Sequence, residues 1–377
     1  MVAGIFTAHS NSPDTATAVK QAVSTLPLES SDFVLLLHGP NHTGQVLQRE
    51  LKQFRGTRFF GCSTSGEITP HGYHDDSLVA ISFDRNAFSC VARRIDKLGE
   101  FGFKPARELI LSMQWELRQQ APDSKLSSTF SLMLIDSLSQ AEEFVAAALG
   151  SELGSINLMG ASAGDNWKLE QTPVLYDGEH YDDSAVVLLV HTTLDFKHYN
   201  FHNFTTTDRR GVITSATPSQ RLVHEINGIP AVEEYSRLCE VELSCFTQEL
   251  LANYPAIITV GDRVYPRGFL QILDDGSLRC ACAIDEGVVF RVAAQVDYLQ
   301  QLQTAFERVH HDLGQQTMIL GFECAARRQL VEQKGLKEQI PPLFAHANAW
   351  GFSCMGEQSN SLNMNNSFNA LAFRLPS

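Results

Sequence analysis

The segment Phe196-Lys-His198-Tyr199-Asn-Phe201-His202-Asn-Phe204-Thr-Thr206 sets two histidines among four aromatic rings. A neutral imidazole offers a lone pair and the rings offer apolar surface, which together are what a haem pocket requires. A half-buried strand with histidines tucked among aromatics accounts for the same residues, and spacing alone favours that plainer account.

Three other groups invite chemistry. Gly160-Ala-Ser162-Ala-Gly164 fits the G-x-S-x-G nucleophile elbow and follows an expected strand. The elbow also needs a helix after it, and Asp165-Asn-Trp-Lys-Leu-Glu-Gln-Thr-Pro173 is poor helix material. A glycine-serine turn of this kind more often shapes a sheet edge or cradles an anion on backbone N–H groups. Cys280-Ala-Cys282 offers two thiols, but at i and i+2 on a strand they simply share one face, and no second paired cluster stands at zinc spacing. His310-His311 closes an expected helix, where a cationic ring suits the macrodipole. P-loop, dinucleotide and HExxH signatures are missing, so nucleotide-driven chemistry has no support.

The chain that must position these residues has 377 amino acids, 44% hydrophobic and 19% charged, enough for about two globular domains. With 43 acids against 29 bases the formal charge is −14, which disfavours nucleic acid and anionic membrane surfaces as partners. Apolar runs such as Ala185–Val190 are far too short to span a bilayer, and Met1–His9 lacks the basic start of a secretory signal. Eight scattered cysteines suit reduced thiols, so the expected location is cytoplasmic.

A weak internal duplication organises the first half. Phe59-Phe-Gly-Cys-Ser-Thr-Ser-Gly-Glu67 parallels Leu158-Met-Gly-Ala-Ser-Ala-Gly-Asp165. Each is followed by a matched pair, Tyr73-His-Asp-Asp-Ser77 and Tyr181-Asp-Asp-Ser184, and preceded by an apolar run, Phe33–Leu37 and Phe130–Ile135. The reading is two β-α-β units, about 1–120 and 121–214, each with added antiparallel strands: Ser77–Phe83 with Ala87–Arg94, and Ser184–His191 with Asp195–Phe204. Ser12-Pro13 is expected to cap a helix bearing Val19, Val23 and Leu26. Residues 215–377 read as a second mixed α/β domain, with a helix from Ala231, a hairpin turning at Asp274-Asp275-Gly276, a helical stripe from Val296 to Val309, and a strand at Thr317–Phe322. Gln358–Asn369 is read as a loop feeding a last strand. The fold class is α/β (α+β) with mixed sheets.

Arg221-Leu-Val-His-Glu-Ile-Asn-Gly-Ile-Pro-Ala-Val-Glu-Glu-Tyr235, Cys282-Ala-Ile-Asp-Glu-Gly287, Gly321-Phe-Glu-Cys-Ala-Ala-Arg-Arg328 and Gly351-Phe-Ser-Cys-Met-Gly-Glu-Gln358 resemble the FIST C-terminal domain, and Gly61–Glu67 resembles its N-terminal partner. The resemblance spans nearly the whole chain. It implies a sensory module that binds small ligands in intracellular signal transduction, not an enzyme. The chain is most similar to the branch of bacterial nitric-oxide-sensing haemoproteins (NosP), which implies haem b as cofactor, nitric oxide as signal and a histidine kinase as partner. Homo-oligomerisation is left open. Cys354-Met355 stands where that branch reads Thr-Tyr, and Asn363-Met-Asn-Asn-Ser-Phe368 lacks the branch's histidine. Local aromatic context makes His202 the leading iron ligand, with His198 and His224 in reserve. Phe201, Phe204 and Tyr199 would form the wall, and Arg209, Arg210 or Arg221 would meet the propionates. Two other readings stand beside it. One is a haem-free receptor whose glycine-serine turns hold a metabolite carboxylate, with Glu67 or Asp165 on its amine; the other is a hydrolase acting through Ser162.

Overall fold

An apolar residue at every position of Phe33–Leu37 suits a strand covered on both faces. The computed structural model, which describes residues 4–251, 253–260 and 263–376, places Ser31–His38 as that strand, parallel to Phe59–Ser63. Thr129–Ile135 beside Leu158–Ser162 repeats the arrangement. A third copy follows at Thr317–Cys324 beside Ala349–Cys354, so the duplication expected from the sequence is a triplication.

Gly61 in the first copy and Gly351 in the third explain one constant of the pattern. A Cβ on either would sit 1.8 Å from a carbonyl oxygen of the neighbouring parallel strand, Leu36 or Gly321. The third copy also has its own version of the Asp-Asp-Ser element, Asn365-Asn366-Ser367. Asp76, Asp183 and Asn366 all adopt positive φ, of 47°, 43° and 57°. Short polar side chains tolerate that left-handed turn better than branched ones do.

The three units exchange strands in a ring. The hairpin Glu67–Thr69/Gly72–His74 of the first joins the third unit's sheet. Val174–Tyr176/Glu179–Tyr181 of the second joins the first, and Glu357–Ser359/Leu362–Met364 of the third joins the second. Two expectations change here. Leu78–Asp84 and Phe88–Asp96 do not form a hairpin; the chain turns a corner, and the second strand pairs with Ser184–Thr192 in the next sheet. Phe196–Phe201 likewise leaves Ser184–Thr192 and pairs with Phe368–Arg374. Gln358–Asn369 is not a loop: it holds most of the third unit's hairpin, and Gln358, Asn363, Asn365, Asn366 and Asn369 are all buried.

Inner faces of the three sheets meet in one core, with Leu35 and Phe60, Leu132 and Met159, and Leu320 and Phe352 as representative pairs. Helices cover the outer faces, among them Thr15–Ala22, capped by Asp14, on the first sheet and Phe103–Gln120 and Glu142–Leu153 on the second. Between the second and third units the chain builds a separate antiparallel sheet around Phe204–Thr217, Leu222–Ile226 and Val289–Gln295. The helix Ala231–Leu238 packs on it, and Phe269–Ile272 pairs with Leu278–Cys280 across the expected turn. The domain boundary read near residue 214 falls inside the strand Phe204–Thr217. No helix among the described residues is long and apolar enough to cross a membrane.

Candidate functional site

Phe196–Phe201 is the edge strand of the third sheet. It faces a cleft of about 590 Å³ where the second unit, the third unit and the inserted sheet meet. That volume lies within the ~300–1,000 Å³ usual for small-molecule sites. Its lining is mixed, apolar from Phe196, Tyr199, Phe201, Val264, Tyr265 and Leu126 and polar from Ser127, Thr129, Ser155, Asn157, Asn200 and Ser359. Lys197, His198, His202 and Arg308 complete the lining.

His202 sits where the edge strand ends, and its Nδ1 lies 3.0 Å from the carbonyl oxygen of Phe204. A carbonyl only accepts, so Nδ1 carries the proton and Nε2 keeps the lone pair. Nε2 has no partner among the described residues. Burial lowers the pKa of the ring, Arg327 lowers it further, and the carbonyl bond opposes both. Tyr199 stacks on Phe201, ring centres 5.4 Å apart and planes 20° off parallel, and gives its hydroxyl to Asp312 at 3.0 Å. A ring held by a carbonyl with the other nitrogen bare is the arrangement of an imidazole metal ligand. The residues present therefore fit a histidine-held haem.

Other candidates fall elsewhere. His198 lines the cleft, with Nε2 2.6 Å from Asn369 Oδ1. Both ring nitrogens of His224 are engaged, by Thr217 and Ser277 at 2.9 Å each, so it is no reserve ligand. Phe204 is buried with Ile257 and Ala293; it contributes its carbonyl rather than its ring. Arg209 pairs with Glu240 at 3.1 Å, Arg210 is exposed on the inserted sheet, and neither lines the cleft. Arg221 is held by Glu142 and Glu143, at 2.7 and 2.9 Å. The cations actually present are Lys197 and Arg308. Nothing in sequence marked Arg308, an exposed residue of the helix Tyr298–Leu313.

The glycine-serine turns are closed on one another. Gly164 N–H donates to Ser63 O, Ser65 N–H to Ser353 O and Met355 N–H to Ser162 O, at 3.0, 2.9 and 3.1 Å. This ring spends the backbone groups that an anion would need. Asp165 accepts from the backbone of Leu169, Glu170 and Gln171. Glu67 is fully buried; its Oε2 accepts from Ser77 N–H and Oγ–H at 3.0 and 2.6 Å, and its Oε1 from Thr64. Glu357 repeats the arrangement with Ser367, with the Cys354 thiol in the place of Thr64. Burial pushes Glu67 up to about 7 and Glu357 up to about 8. The second unit has Val174 at the corresponding position. Ser162 is buried, and its Oγ accepts from Gln358 Nε2 at 2.9 Å; no histidine among the described residues is bonded to it. Cys280 and Cys282 are buried, and no group of three or more His, Cys, Asp or Glu among the described residues is placed to hold a metal.

Three α/β units in a ring, an antiparallel insertion and a cleft at their junction describe a ligand-binding protein of mixed α/β class. The chain matches the FIST N domain over residues 32–229 and the FIST C domain over residues 231–360, and it belongs to the FIST family, whose domains point to sensory signalling through small-ligand binding. No curated protein matches it in sequence. A solved structure described as cyanuric acid hydrolase from A. caulinodans aligns over 100% of this chain and 99% of its own, at 7% identity and a TM-score of 0.43, a likeness too loose to bear on activity.

Proposed function

We propose that the protein is a cytoplasmic sensory haemoprotein in which His202 holds haem b in the cleft, nitric oxide is the signal and a histidine kinase is the partner. The observation that carries this reading is the hydrogen bond from His202 Nδ1 to Phe204 O, which leaves a bare Nε2 on a ring that lines the cleft. Bound there, with His202 as its protein ligand, haem would supply an iron atom able to take a gas ligand.

The chain's own part is to hold and report. Tyr199 and Phe201 stack as one apolar face. Asn203, next to His202, is buried and takes Arg327 Nη1–H on its Oδ1 at 2.6 Å. Arg327 in turn donates to Glu323 at 3.2 Å, which also accepts the hydroxyls of Tyr73 at 2.6 Å and Tyr298 at 2.5 Å. A shift of the His202 backbone would therefore pull on residues of the first and third units together. Such a switch works only if the signal favours one conformer by a few kcal/mol.

Reconstitution of apoprotein with haemin tests the reading. A stoichiometric Soret band that shifts when nitric oxide is added to the reduced protein is expected, together with a change in the rate of kinase autophosphorylation. A protein that takes up no haem contradicts it. A haem-free receptor for a polar metabolite is favoured by the serines and asparagines among the cleft lining. It would show as a ligand-dependent rise in melting temperature without haem.

A further inference from the structure

We propose that the cleft is selective for anions, with the Arg308 guanidinium pairing with a carboxylate or similar group on a flat ligand that lies against the Tyr199–Phe201 face. The inference rests on the reading of this cleft as the ligand site, and it holds for a metabolite as well as for a porphyrin.

Charge is the first argument. The protein carries 43 acids against 29 bases. Yet among the described residues lining the cleft there is no aspartate or glutamate, while Lys197 and Arg308 are both present. On so acidic a protein, a wall without carboxylates is a local reversal of sign, and such a cleft draws anions.

The second argument is the unfilled valence of Arg308. Asp312, one helical turn on, is the carboxylate placed to neutralise it. That group is already committed, to Lys197 Nζ at 2.6 Å, Tyr199 Oη at 3.0 Å and His311 Nδ1 at 3.2 Å. Glu307 accepts from Gln303 at 2.8 Å. Arg308 itself makes no hydrogen bond or ion pair with any described residue. Lys197 is already paired with Asp312 at 2.6 Å, so the fork of Arg308 is the cation left for a ligand, and a planar guanidinium suits a two-oxygen anion. Beside it, the stacked rings of Tyr199 and Phe201 favour a flat, unsaturated body over an aliphatic chain.

The test uses the whole protein and two fluorescent probes, anilinonaphthalene sulfonate and its neutral parent phenylnaphthylamine, which differ only in the sulfonate. The sulfonate is expected to bind about tenfold tighter than the neutral amine. Arg308→Gln should erase most of that preference while leaving neutral-probe binding and the melting temperature unchanged, and Arg308→Lys should keep part of it. Equal binding of both probes, no saturable binding of either, or sulfonate binding untouched by Arg308→Gln would overturn the proposal. Haemin titration of the parent protein separates the two readings. Sulfonate preference retained in a protein that takes up no haem defeats the haem assignment alone, whereas haem uptake without any sulfonate preference defeats the anion site alone.

Discussion

His202 Nδ1 and the carbonyl oxygen of Phe204 stand 3.0 Å apart, and this contact decides which nitrogen of the ring is a base. The two residues are separated by a single position, so the turn that ends the strand Phe196–Phe201 also fixes the tautomer. The aromatic neighbours of His202 single it out in the sequence; the structure supplies a different reason, since the useful part of Phe204 is its backbone.

One consequence is a pH profile. Burial and Arg327 hold the His202 pKa below the ordinary imidazole value, so the ring stays neutral as pH falls through about 6.5. Haem uptake should be flat from about pH 8 to about pH 6.5 and should decline only below that. Absorbance titrations across this range check it; a decline centred at or above the ordinary imidazole value would place the ligand elsewhere.

Glu67 and Glu357 predict the opposite slope for stability. Their folded pKa values, raised to about 7 and about 8, exceed the ordinary glutamate value of about 4.5. The folded state therefore holds protons that the unfolded state has released. Stability is fullest below about pH 4.5 as far as these groups are concerned and is lost as pH rises through 7 and 8. Thermal melts of the double variant Glu67→Gln/Glu357→Gln should fall less between about pH 6 and about pH 8.5 than those of the parent. An unchanged difference would show that the two carboxyls are charged in the fold.

Arg221 joins the inserted sheet to the helix Glu142–Leu153 through Glu142 and Glu143, with the Arg221 and Glu142 side chains 15% and 5% exposed. Glu143 also accepts from Ala283 N–H at 2.7 Å. Arg221→Ala would strand two adjacent carboxylates at that junction, at a cost of about 3–5 kcal/mol. Chemical denaturation of Arg221→Ala measures the loss, and adding Glu142→Gln and Glu143→Gln should recover much of it. A loss below about 1 kcal/mol would mean the junction is held by apolar packing instead.

The sequence made two copies of the α/β unit legible and concealed the third. Gly61-Cys-Ser-Thr-Ser-Gly-Glu67 and Gly351-Phe-Ser-Cys-Met-Gly-Glu357 share glycine, serine, glycine and glutamate at matched positions. The inserted sheet parts them by a long stretch of chain, and Asn365-Asn366-Ser367 replaces the aspartates that tied the first two together. Strand exchange was hidden for a different reason. Alternating apolar residues in Phe88–Asp96 say that a strand has a buried face, but not which sheet it joins. Polar composition made Gln358–Asn369 look like a loop, whereas its amides are buried and bonded to Ser162, Asn363 and His198. The cleft was half legible. His198, Tyr199, Phe201 and His202 all line it because they are near neighbours along one edge strand and its end. Arg308 comes from a distant helix, where an exposed arginine has no distinguishing pattern.

Chemical rescue at residue 202 addresses the haem assignment at its base. In His202→Gly the Soret signature of a histidine-ligated haem should vanish, and free imidazole added to the same sample should restore it. A variant whose spectrum matches the parent's before imidazole is added would show that another residue holds the iron.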